Sequence, residues 1–298
     1  MDDYAGKRYT KFVLIGDPVA HSLSPVMHNT LYKQLAQSDW HFKGWSYEAV
    51  QCADEEAAIY QIAFVRTGEY CGMNVTMPWK RLALQQATYI DPAADAAGGA
   101  NVLVRKGYDL YAYNTDGLGA VGAIARNGHV NPQGKRAVVF GTGPTSMAIA
   151  CALANSHARE VIVFSRSFDK ADAALRNLRF SLGDQTGTWL RPASYDQVER
   201  FVPSADIVVD ATPCGMTPGD AAVVDVGLLQ PNQVVLDTVY AHGETELLAG
   251  ARAAGACALD GLEMLVEQAA LSVEIWAEAL GVPLTVSREV MRVTALNS

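Results

Sequence analysis

Short apolar runs alternate with longer amphipathic segments along this chain. The runs are rich in Val, Ile and Leu, which is typical of strands buried on both faces of a parallel sheet. They predict strands at Lys11–Gly16, Trp45–Val50, Gly72–Val75, Arg136–Phe140, Val161–Phe164, Asp206–Asp210, Val234–Asp237 and Ala256–Leu259. Helices are predicted at Ser24–Gln37, Asp54–Arg66, Asp116–Arg126, Met147–Asn155, Glu244–Ala254, Leu262–Leu280 and Leu284–Leu296. This alternation predicts an α/β fold.

Small polar residues and prolines mark the predicted helix starts. Ser24 is expected to be an N-cap with Pro25 at the first helical position, and Asp116 is expected to cap its own helix. Pro78 is expected to begin a helix after the third strand, and Pro283 to open the last helix. Proline suits these positions because its missing N–H would have no partner inside the helix.

A glycine-rich turn follows the strand Arg136–Phe140. It contains Gly141, Thr142, Gly143, Pro144, Thr145 and Ser146, and it leads into a helix and a second strand. This arrangement is typical of dinucleotide-binding units, because glycines let the backbone approach a pyrophosphate at the helix N-terminus. Ser146 stands where the usual pattern has its third glycine, which weakens the match. The alternative is a turn that holds no ligand.

The tip of the second strand bears on the choice of dinucleotide. An NAD site usually has Asp or Glu there, which accepts hydrogen bonds from the ribose hydroxyls. This chain has Ser165, Arg166 and Ser167 instead. A guanidinium with neighbouring hydroxyls suits a 2′-phosphate, so NADP is favoured over NAD. Asp169 lies close by and keeps NAD open. The alternative role for Arg166 is a solvated surface charge.

Composition narrows the class of protein. Of 298 residues, half are hydrophobic and 18% are charged, which indicates a globular chain long enough for two domains. The net charge of −9 argues against a nucleic-acid partner. No apolar run approaches membrane-spanning length, and the N-terminus lacks a signal-peptide pattern. The five cysteines and six histidines form no ligand pairs, so a reducing cytoplasm and no metal site are expected.

Polar residues also stand at the carboxyl ends of other predicted strands, the edge where α/β sheets bind ligands. Ser22 and Ser24 lie in the loop after the first strand, and Asn74, Thr76 and Lys80 lie near the end of the third. Capping alone accounts for Ser24, and a surface charge accounts for Lys80. Thr212 opens a later loop that is placed to cover a dinucleotide.

Eight short motifs occur in order over nearly the whole chain. They are His21–Pro25, Asn74–Lys80, Gly99–Asn101, Asn114–Gly117, the Gly141 turn, Asp210–Met216, Val239–Tyr240 and Met264–Gln268. Together they resemble the shikimate dehydrogenase family. That family reduces 3-dehydroshikimate to shikimate with NADPH, reversibly, and relatives act on quinate, often with NAD.

The resemblance implies a role for each matching residue. Lys80 and Asp116 match the catalytic pair, and Ser22 and Ser24 match the serines that bind the substrate carboxylate. The other matches bind substrate at Thr76, Asn101, Tyr240 and Gln268, the nicotinamide at Gly261 and Met264, and the 2′-phosphate at Arg166 and Lys170. Departures from the family pattern are Pro144, Ser146, Ser165 and Ala241–His242.

The reaction that the resemblance implies needs a proton donor and a carboxylate beside it. In reduction, the ring oxygen gains charge and must receive a proton, which Lys80 donates while Asp116 orients the ammonium. Quinate carries an additional hydroxyl beside its carboxylate, so the pair Ser22 and Ser24 favours shikimate. The rivals are a quinate/shikimate dehydrogenase using NAD and a non-catalytic sensor of the same ligands. The presence of both Lys80 and Asp116 disfavours the sensor.

The resemblance also implies two domains. Residues 1–115 and 264–298 are expected to form a discontinuous substrate-binding domain, and residues 116–263 a Rossmann-like NAD(P)-binding domain. A cleft between them is expected to hold shikimate or 3-dehydroshikimate beside the cofactor, and to exclude water on closing. The protein is expected to be a cytoplasmic monomer or homodimer with no membrane partner.

Overall fold

The structure is a computed structural model that describes residues 10–183, 186–282 and 284–298. Pro283, predicted to open the last helix, and residues 1–9 of the first predicted domain lie outside the described residues. The strands are β1 (Thr10–Gly16), β2 (Trp45–Gln51), β3 (Gly72–Val75), β4 (Tyr89–Ile90), β5 (Val102–Lys106), β6 (Asp109–Tyr113), β7 (Arg136–Phe140), β8 (Glu160–Ser165), β9 (Trp189–Ser194), β10 (Ile207–Asp210), β11 (Val234–Asp237) and β12 (Cys257–Leu259). The helices are α1 (Ser24–Ser38), α2 (Glu55–Thr67), α3 (Lys80–Gln86), α4 (Pro92–Ala97), α5 (Asp116–Arg126), α6 (Pro144–Asn155), α7 (Phe168–Leu182), α8 (Val198–Phe201), α9 (Glu246–Ala253), α10 (Gly261–Ala279) and α11 (Arg288–Leu296). None of these described helices is both long and apolar enough to cross a membrane.

The described residues form two compact units. The first runs to Asp91 and adds Ala100–Tyr113 and Ala269–Ser298, and the second comprises Pro92–Gly99 and Asn114–Gln268. The prediction divided the chain after residues 115 and 263, whereas the units divide it after Tyr113 and Gln268, so residues 264–268 lie in the second unit. Residues 92–99, predicted in the first domain, belong to the second unit because α4 packs against α6 and α7.

The first unit contains a mixed sheet of six strands in the order β2-β1-β3-β5-β6-β4. β1 pairs in parallel with β2 and β3, whereas β5 is antiparallel to β3 and β6. Trp276 of α10 fills the aromatic core, with its ring centroid 4.6 Å from that of Phe12 and its indole N–H donating to Leu103 O. A side chain on Gly72 would overlap the Trp276 ring, so this close approach requires glycine in β3.

The second unit contains a sheet of six strands, all parallel, in the order β12-β11-β10-β7-β8-β9. This is the doubly wound order, in which the chain switches direction across the sheet between β7 and β10. Ligands bind such sheets at the carboxyl ends of the strands beside the switch point. The predicted α/β class with a Rossmann-like domain is confirmed, and Gly141 and Thr212 follow the two strands at that point.

Two predicted helix caps are wrong. α1 begins at Ser24, whose side chain makes no capping bond, and Ser22 Oγ accepts the Ser24 N–H at 3.2 Å instead. α5 likewise begins at Asp116, whose N–H donates to Asn114 Oδ1 at 3.0 Å. The N–H of the first helical residue has no partner inside the helix. In both helices it is bonded by the side chain of the residue two positions earlier.

Two other helix starts differ from prediction. Pro78 lies in a turn where the Trp79 N–H donates to Thr76 O, so α3 begins only at Lys80. The last helix begins at Arg288 and not at residue 284. The edge strand β9 was not predicted, because its mixed sequence of Trp, Leu, Arg, Pro, Ala and Ser gives no apolar run.

Candidate active site

The glycine turn between β7 and α6 leaves its backbone open to a ligand. Gly141 has a φ of 108°, and a Cβ there would lie 2.5 Å from Ser146 Oγ and 3.0 Å from Ala211 O, so only glycine fits. Gly143 is the N-cap of α6, and no heavy atom of the described residues lies within 4 Å of the Cβ it lacks. A phosphate can therefore approach the main chain at Gly143.

The first turn of α6 presents backbone donors beside this opening. The Met147 N–H bonds to Gly143 O at 3.0 Å, so the N–H groups before Met147 point out of the helix end, where the dipole also favours an anion. Ser146 is fully buried, and its hydroxyl donates to Ala211 O at 3.3 Å. The Ser146 side chain therefore holds α6 against the end of β10, and only its backbone is placed to face a phosphate.

Asp116 lies at the start of α5 and is hydrogen-bonded to the glycine turn. The residue is almost wholly buried, and its Oδ2 accepts a hydrogen bond from Thr145 Oγ1 at 3.3 Å. The Asn114 side chain holds the backbone before Asp116 in place. Its Oδ1 accepts the Asp116 N–H at 3.0 Å, and its Nδ2 donates to Gly99 O at 2.7 Å. A predicted catalytic residue and a predicted cofactor-binding residue are thus joined within the second unit.

Two glycines let α5 pack closely on its neighbours. A side chain on Gly117 would overlap the carbonyl oxygen of Ala148 in α6. A Cβ on Gly119 would lie 2.9 Å from Gln268 Cβ and 3.0 Å from Met264 O in α10. The predicted residues Met264 and Gln268 therefore lie against α5, one turn from its start.

The start of α10 lies against the loop that follows β11. The Gly261 N–H donates to Val239 O at 3.0 Å, and a side chain on Gly261 would overlap Thr238 O. Tyr240 follows in the same loop and is half-buried. The structure thus brings Gly261, predicted beside the nicotinamide, next to the segment that carries Tyr240.

The tip of β8 carries the residues predicted to bind a 2′-phosphate. Arg166 and Lys170 are exposed, Ser167 is half-buried and Ser165 is buried. Burial, together with nearby Asp210, raises the pKa of the Tyr195 hydroxyl to about 12, against the opposing charge of Arg166. An exposed guanidinium and an exposed lysine thus stand at the strand end where the ribose binds in Rossmann sheets.

Two buried carboxyl groups end the neighbouring strands β10 and β11. Asp210 and Asp237 are paired in register, and each is 1% exposed. Asp210 Oδ1 accepts the Thr212 N–H at 2.8 Å, which turns the predicted cofactor loop. Burial raises the pKa of Asp210 to about 7, with hydrogen bonds from Thr212 opposing the rise and Asp237 adding to it. Asp237 accepts from Thr245 Oγ1 at 2.7 Å, and burial raises its pKa as well.

The first unit gathers its predicted residues around the carboxyl ends of β1 and β3. They are Ser22 and Ser24 after β1, Thr76 and Lys80 after β3, and Asn101 before β5. The Thr76 N–H donates to Ile15 O at 2.9 Å, which continues the pairing of the two strands. Lys80 is half-buried at the start of α3, and its carbonyl accepts the Ala100 N–H at 2.9 Å. Lys80 and Asp116 thus belong to different units.

The structure joins Asn74, predicted at the ligand edge with Thr76 and Lys80, to side chains that the sequence did not assign to this site. Asn74 Nδ2 donates to Asn101 O at 3.1 Å and to Ser272 Oγ at 3.0 Å, and Asn74 Oδ1 accepts from the Tyr47 hydroxyl at 2.8 Å. Nothing in the sequence signalled Ser272, because it lies on a largely apolar helix far along the chain.

The doubly wound sheet and the glycine turn at its switch point define a dinucleotide-binding protein of the Rossmann type. Residues 14–103 match the family described as shikimate dehydrogenase substrate binding domain. A shikimate dehydrogenase (NADP(+)) of Methanocella arvoryzae is 37% identical over 267 residues, which are 90% of this chain and 93% of that protein. The chain belongs to the shikimate dehydrogenase family.

Solved structures of two related enzymes share the fold. The shikimate dehydrogenase of Thermus thermophilus, in complex with NADP(H) and shikimate, has a TM-score of 0.80 and 28% identity, covering 97% of this chain and 99% of that one. The quinate dehydrogenase of Corynebacterium glutamicum, in complex with NAD, has a TM-score of 0.81 and 26% identity, with the same coverage. Since these scores are nearly equal, only the site residues can separate the two activities.

Proposed function

We propose that this protein catalyses the reversible, NADP-linked interconversion of 3-dehydroshikimate and shikimate, with Lys80 and Asp116 as the catalytic pair. The hydrogen bond from Thr145 to Asp116 carries the proposal, because it ties a buried carboxylate to the turn suited to a dinucleotide. Family membership supports the same activity.

The residues of the second unit fit NADP. The open backbone at Gly143 and the outward N–H groups of α6 suit the pyrophosphate. The exposed cations of Arg166 and Lys170 suit the 2′-phosphate. Further proposed contacts come from Gly141, Thr142, Pro144, Thr145, Ser146, Ser165, Ser167, Thr212, Gly261 and Met264. When bound, NADP supplies or accepts the hydride.

The substrate site is proposed to be built from hydroxyl and amide groups. Ser22 and Ser24 bind the carboxylate, and the ring hydroxyls are bonded by Thr76, Asn101, Tyr240 and Gln268. Such a site rejects rings that lack the hydroxyls, because its own buried polar groups would be left unpaired.

Proton transfer is assigned to Lys80. In reduction its ammonium donates to the carbonyl oxygen as negative charge develops there, and in oxidation the amine takes the proton back. Asp116 orients the ammonium and stabilises its charge. A positioned acid of this kind contributes roughly 100- to 10,000-fold to the rate.

Steady-state rates with each substrate and cofactor pair test the proposal. We expect kcat/KM to be highest for shikimate with NADP. A preference for quinate with NAD would identify the rival dehydrogenase instead, whose counterpart in Corynebacterium glutamicum has the same fold. Activity with none of the four pairs would contradict both.

A lysine variant separates the enzyme from a non-catalytic sensor. Lys80→Ala is expected to lower kcat by at least about 100-fold, while shikimate binding stays measurable by calorimetry. Lys33→Ala is the matched control, because Lys33 is an exposed lysine of α1. Wild-type turnover in Lys80→Ala would exclude the assigned role.

Three further expectations belong to this proposal. The first unit binds the substrate and the second binds the dinucleotide. The protein is a monomer or a homodimer, which light scattering distinguishes. It acts in the cytoplasm, which cell fractionation tests.

A further inference from the structure

Tyr47 of β2 is held on three sides within the first unit. The Asn29 side chain forms two hydrogen bonds with the Tyr47 backbone, to its carbonyl at 2.8 Å and from its N–H at 2.9 Å. The His28 ring stacks on the Tyr47 ring with centroids 4.1 Å apart and planes 6° from parallel. The hydroxyl donates to Asn74 Oδ1 at 2.8 Å. Both the backbone and the ring of Tyr47 are therefore fixed by α1.

The His28 ring serves this arrangement by stacking. Its Nδ1 lies 3.1 Å from the Tyr32 hydroxyl, and its Nε2 is buried without a hydrogen bond among the described residues. Burial lowers the pKa of His28 to about 3, so the ring stays neutral at any ordinary working pH. Tyr47 thus rests on an uncharged surface that does not change with pH.

The orientation of the Asn74 amide follows from its partners. Asn101 O can only accept, so the Asn74 Nδ2 must face it, and Oδ1 must then face the Tyr47 hydroxyl. A flipped amide would set two acceptor oxygens against each other. Ser272 Oγ accepts the second Nδ2 hydrogen at 3.0 Å. Tyr47 therefore supplies the donor that completes the only satisfied orientation.

The oriented Asn74 amide lies next to two residues proposed to bind the substrate, Asn101 and Thr76. Asn101 O also accepts the Val75 N–H at 2.9 Å, so both bonds to this carbonyl come from neighbouring residues of β3. The next residue after Val75 is Thr76. A shift of the Asn74 side chain would release one side of Asn101 and disturb the strand end that carries Thr76.

We propose that Tyr47 is a positioning residue for the substrate site, which acts through Asn74 to hold Asn101 and Thr76 in place. This proposal rests on the proposed function for its readout. Tyr47 is buried, and the proposal assigns it no contact with the substrate. Removing its hydroxyl leaves Asn74 Oδ1 buried without its donor, and the amide then shifts to find another.

The test is Tyr47→Phe, which keeps the ring stacked on His28 and removes only the hydroxyl. We expect the KM for shikimate to rise about tenfold, while kcat and the KM for NADP change less than about twofold. Tyr32→Phe is the matched control, because it removes another buried hydroxyl beside His28 that has no bond to Asn74. Tyr32→Phe should leave both KM values unchanged.

A double-mutant cycle separates positioning from general packing. Asn74→Ala is expected to raise the KM for shikimate, and adding Tyr47→Phe should then raise it no further, because the path runs through Asn74. Additive effects, or equal KM changes in Tyr47→Phe and Tyr32→Phe, would overturn the proposal. If Tyr47→Phe does not fold, Ser272→Ala removes another bond to the same amide and should raise the KM several-fold, whereas an unchanged KM would contradict the proposal. An inactive wild type would count against the proposed function instead.

Discussion

The hydroxyl of Thr145 donates a hydrogen bond of 3.3 Å to the carboxylate of Asp116, so a polar contact joins the first turn of α6 to the first turn of α5. A hydrogen bond to a charged group is worth roughly 1.5–3 kcal/mol. Thr145→Val keeps the shape of the side chain and removes the donor. We expect kcat for shikimate oxidation to fall about tenfold, measured with saturating NADP.

The serine variant is the control for this contact. Thr145→Ser retains a hydroxyl at the same place and should recover most of the wild-type kcat. If Thr145→Ser loses as much activity as Thr145→Val, the hydroxyl does not account for the loss and the prediction fails.

Arg166 is expected to select NADP over NAD. Its exposed guanidinium stands at the tip of β8, and losing a charge-assisted bond to a phosphate costs about 10- to 100-fold in affinity. Arg166→Ala should raise the KM for NADP by that factor and change the KM for NAD less than about twofold. Arg176→Ala, an exposed arginine on α7, is the control. Equal losses for both cofactors would argue against a 2′-phosphate contact.

Two glycines near the dinucleotide turn should differ in how much stability an alanine substitution costs. Gly117→Ala places a methyl against the Ala148 carbonyl, and such overpacking costs about 1–3 kcal/mol in the free energy of unfolding. Gly143→Ala places its methyl in open space at a φ of −80°, so we expect less than about 0.5 kcal/mol there. Urea unfolding measures both changes.

Gly143→Ala should instead affect the binding of NADP. The methyl of Gly143→Ala occupies the space where the backbone is open, so the KM for NADP should rise. A stable Gly143→Ala protein with an unchanged KM for NADP would mean that the pyrophosphate does not approach this residue.

The buried Asp210 carboxyl should make stability depend on pH. Its pKa is about 7 in the folded state and near its ordinary 3.8 when unfolded, so the folded state binds the proton more tightly. Stability from this group is therefore present below pH 4 and is lost as the pH rises toward 7. Asp210→Asn cannot ionise and should gain on the wild type by up to about 1.4 kcal/mol per pH unit in that range.

The control for this prediction is Asp225→Asn. Asp225 also accepts the N–H of the residue two positions later, from Gly227 at 2.9 Å, but it is exposed. Asp225→Asn measures what the same substitution does at an exposed position over the same pH range, and its effect on the unfolding free energy is the baseline for Asp210→Asn. If the unfolding free energy of Asp210→Asn does not gain on the wild type as the pH rises from 4 to 7, the Asp210 carboxylate is not destabilised by burial.

Local patterns predicted the elements that place the dinucleotide turn. The apolar runs Arg136–Phe140 and Val234–Asp237 coincide with β7 and β11, because buried parallel strands are apolar on both faces. The helix caps were less predictable. Ser24 and Asp116 are good cap residues by type, yet in each case the serine or asparagine two residues earlier accepts the first N–H.

Contacts between distant residues could not be predicted from the sequence. Thr145 and Asp116 meet because Gly117 lets two helices approach, and neither residue type signals that approach. Ser272 reaches Asn74 only because α10 returns to the sheet of the first unit. Such contacts follow from packing, which depends on the whole chain.

The late position of Trp276 in the sequence determines when the core of the first unit can be completed during synthesis. The ribosome completes the second unit at Gln268, before Trp276 has been added to the nascent chain. Until the last helices leave the exit tunnel, the earliest strands wait without the indole that stacks on Phe12 and covers Gly72. A chain terminated early would therefore carry a finished carboxyl-proximal unit and an exposed apolar sheet, which is the kind of surface that chaperones and proteases recognise.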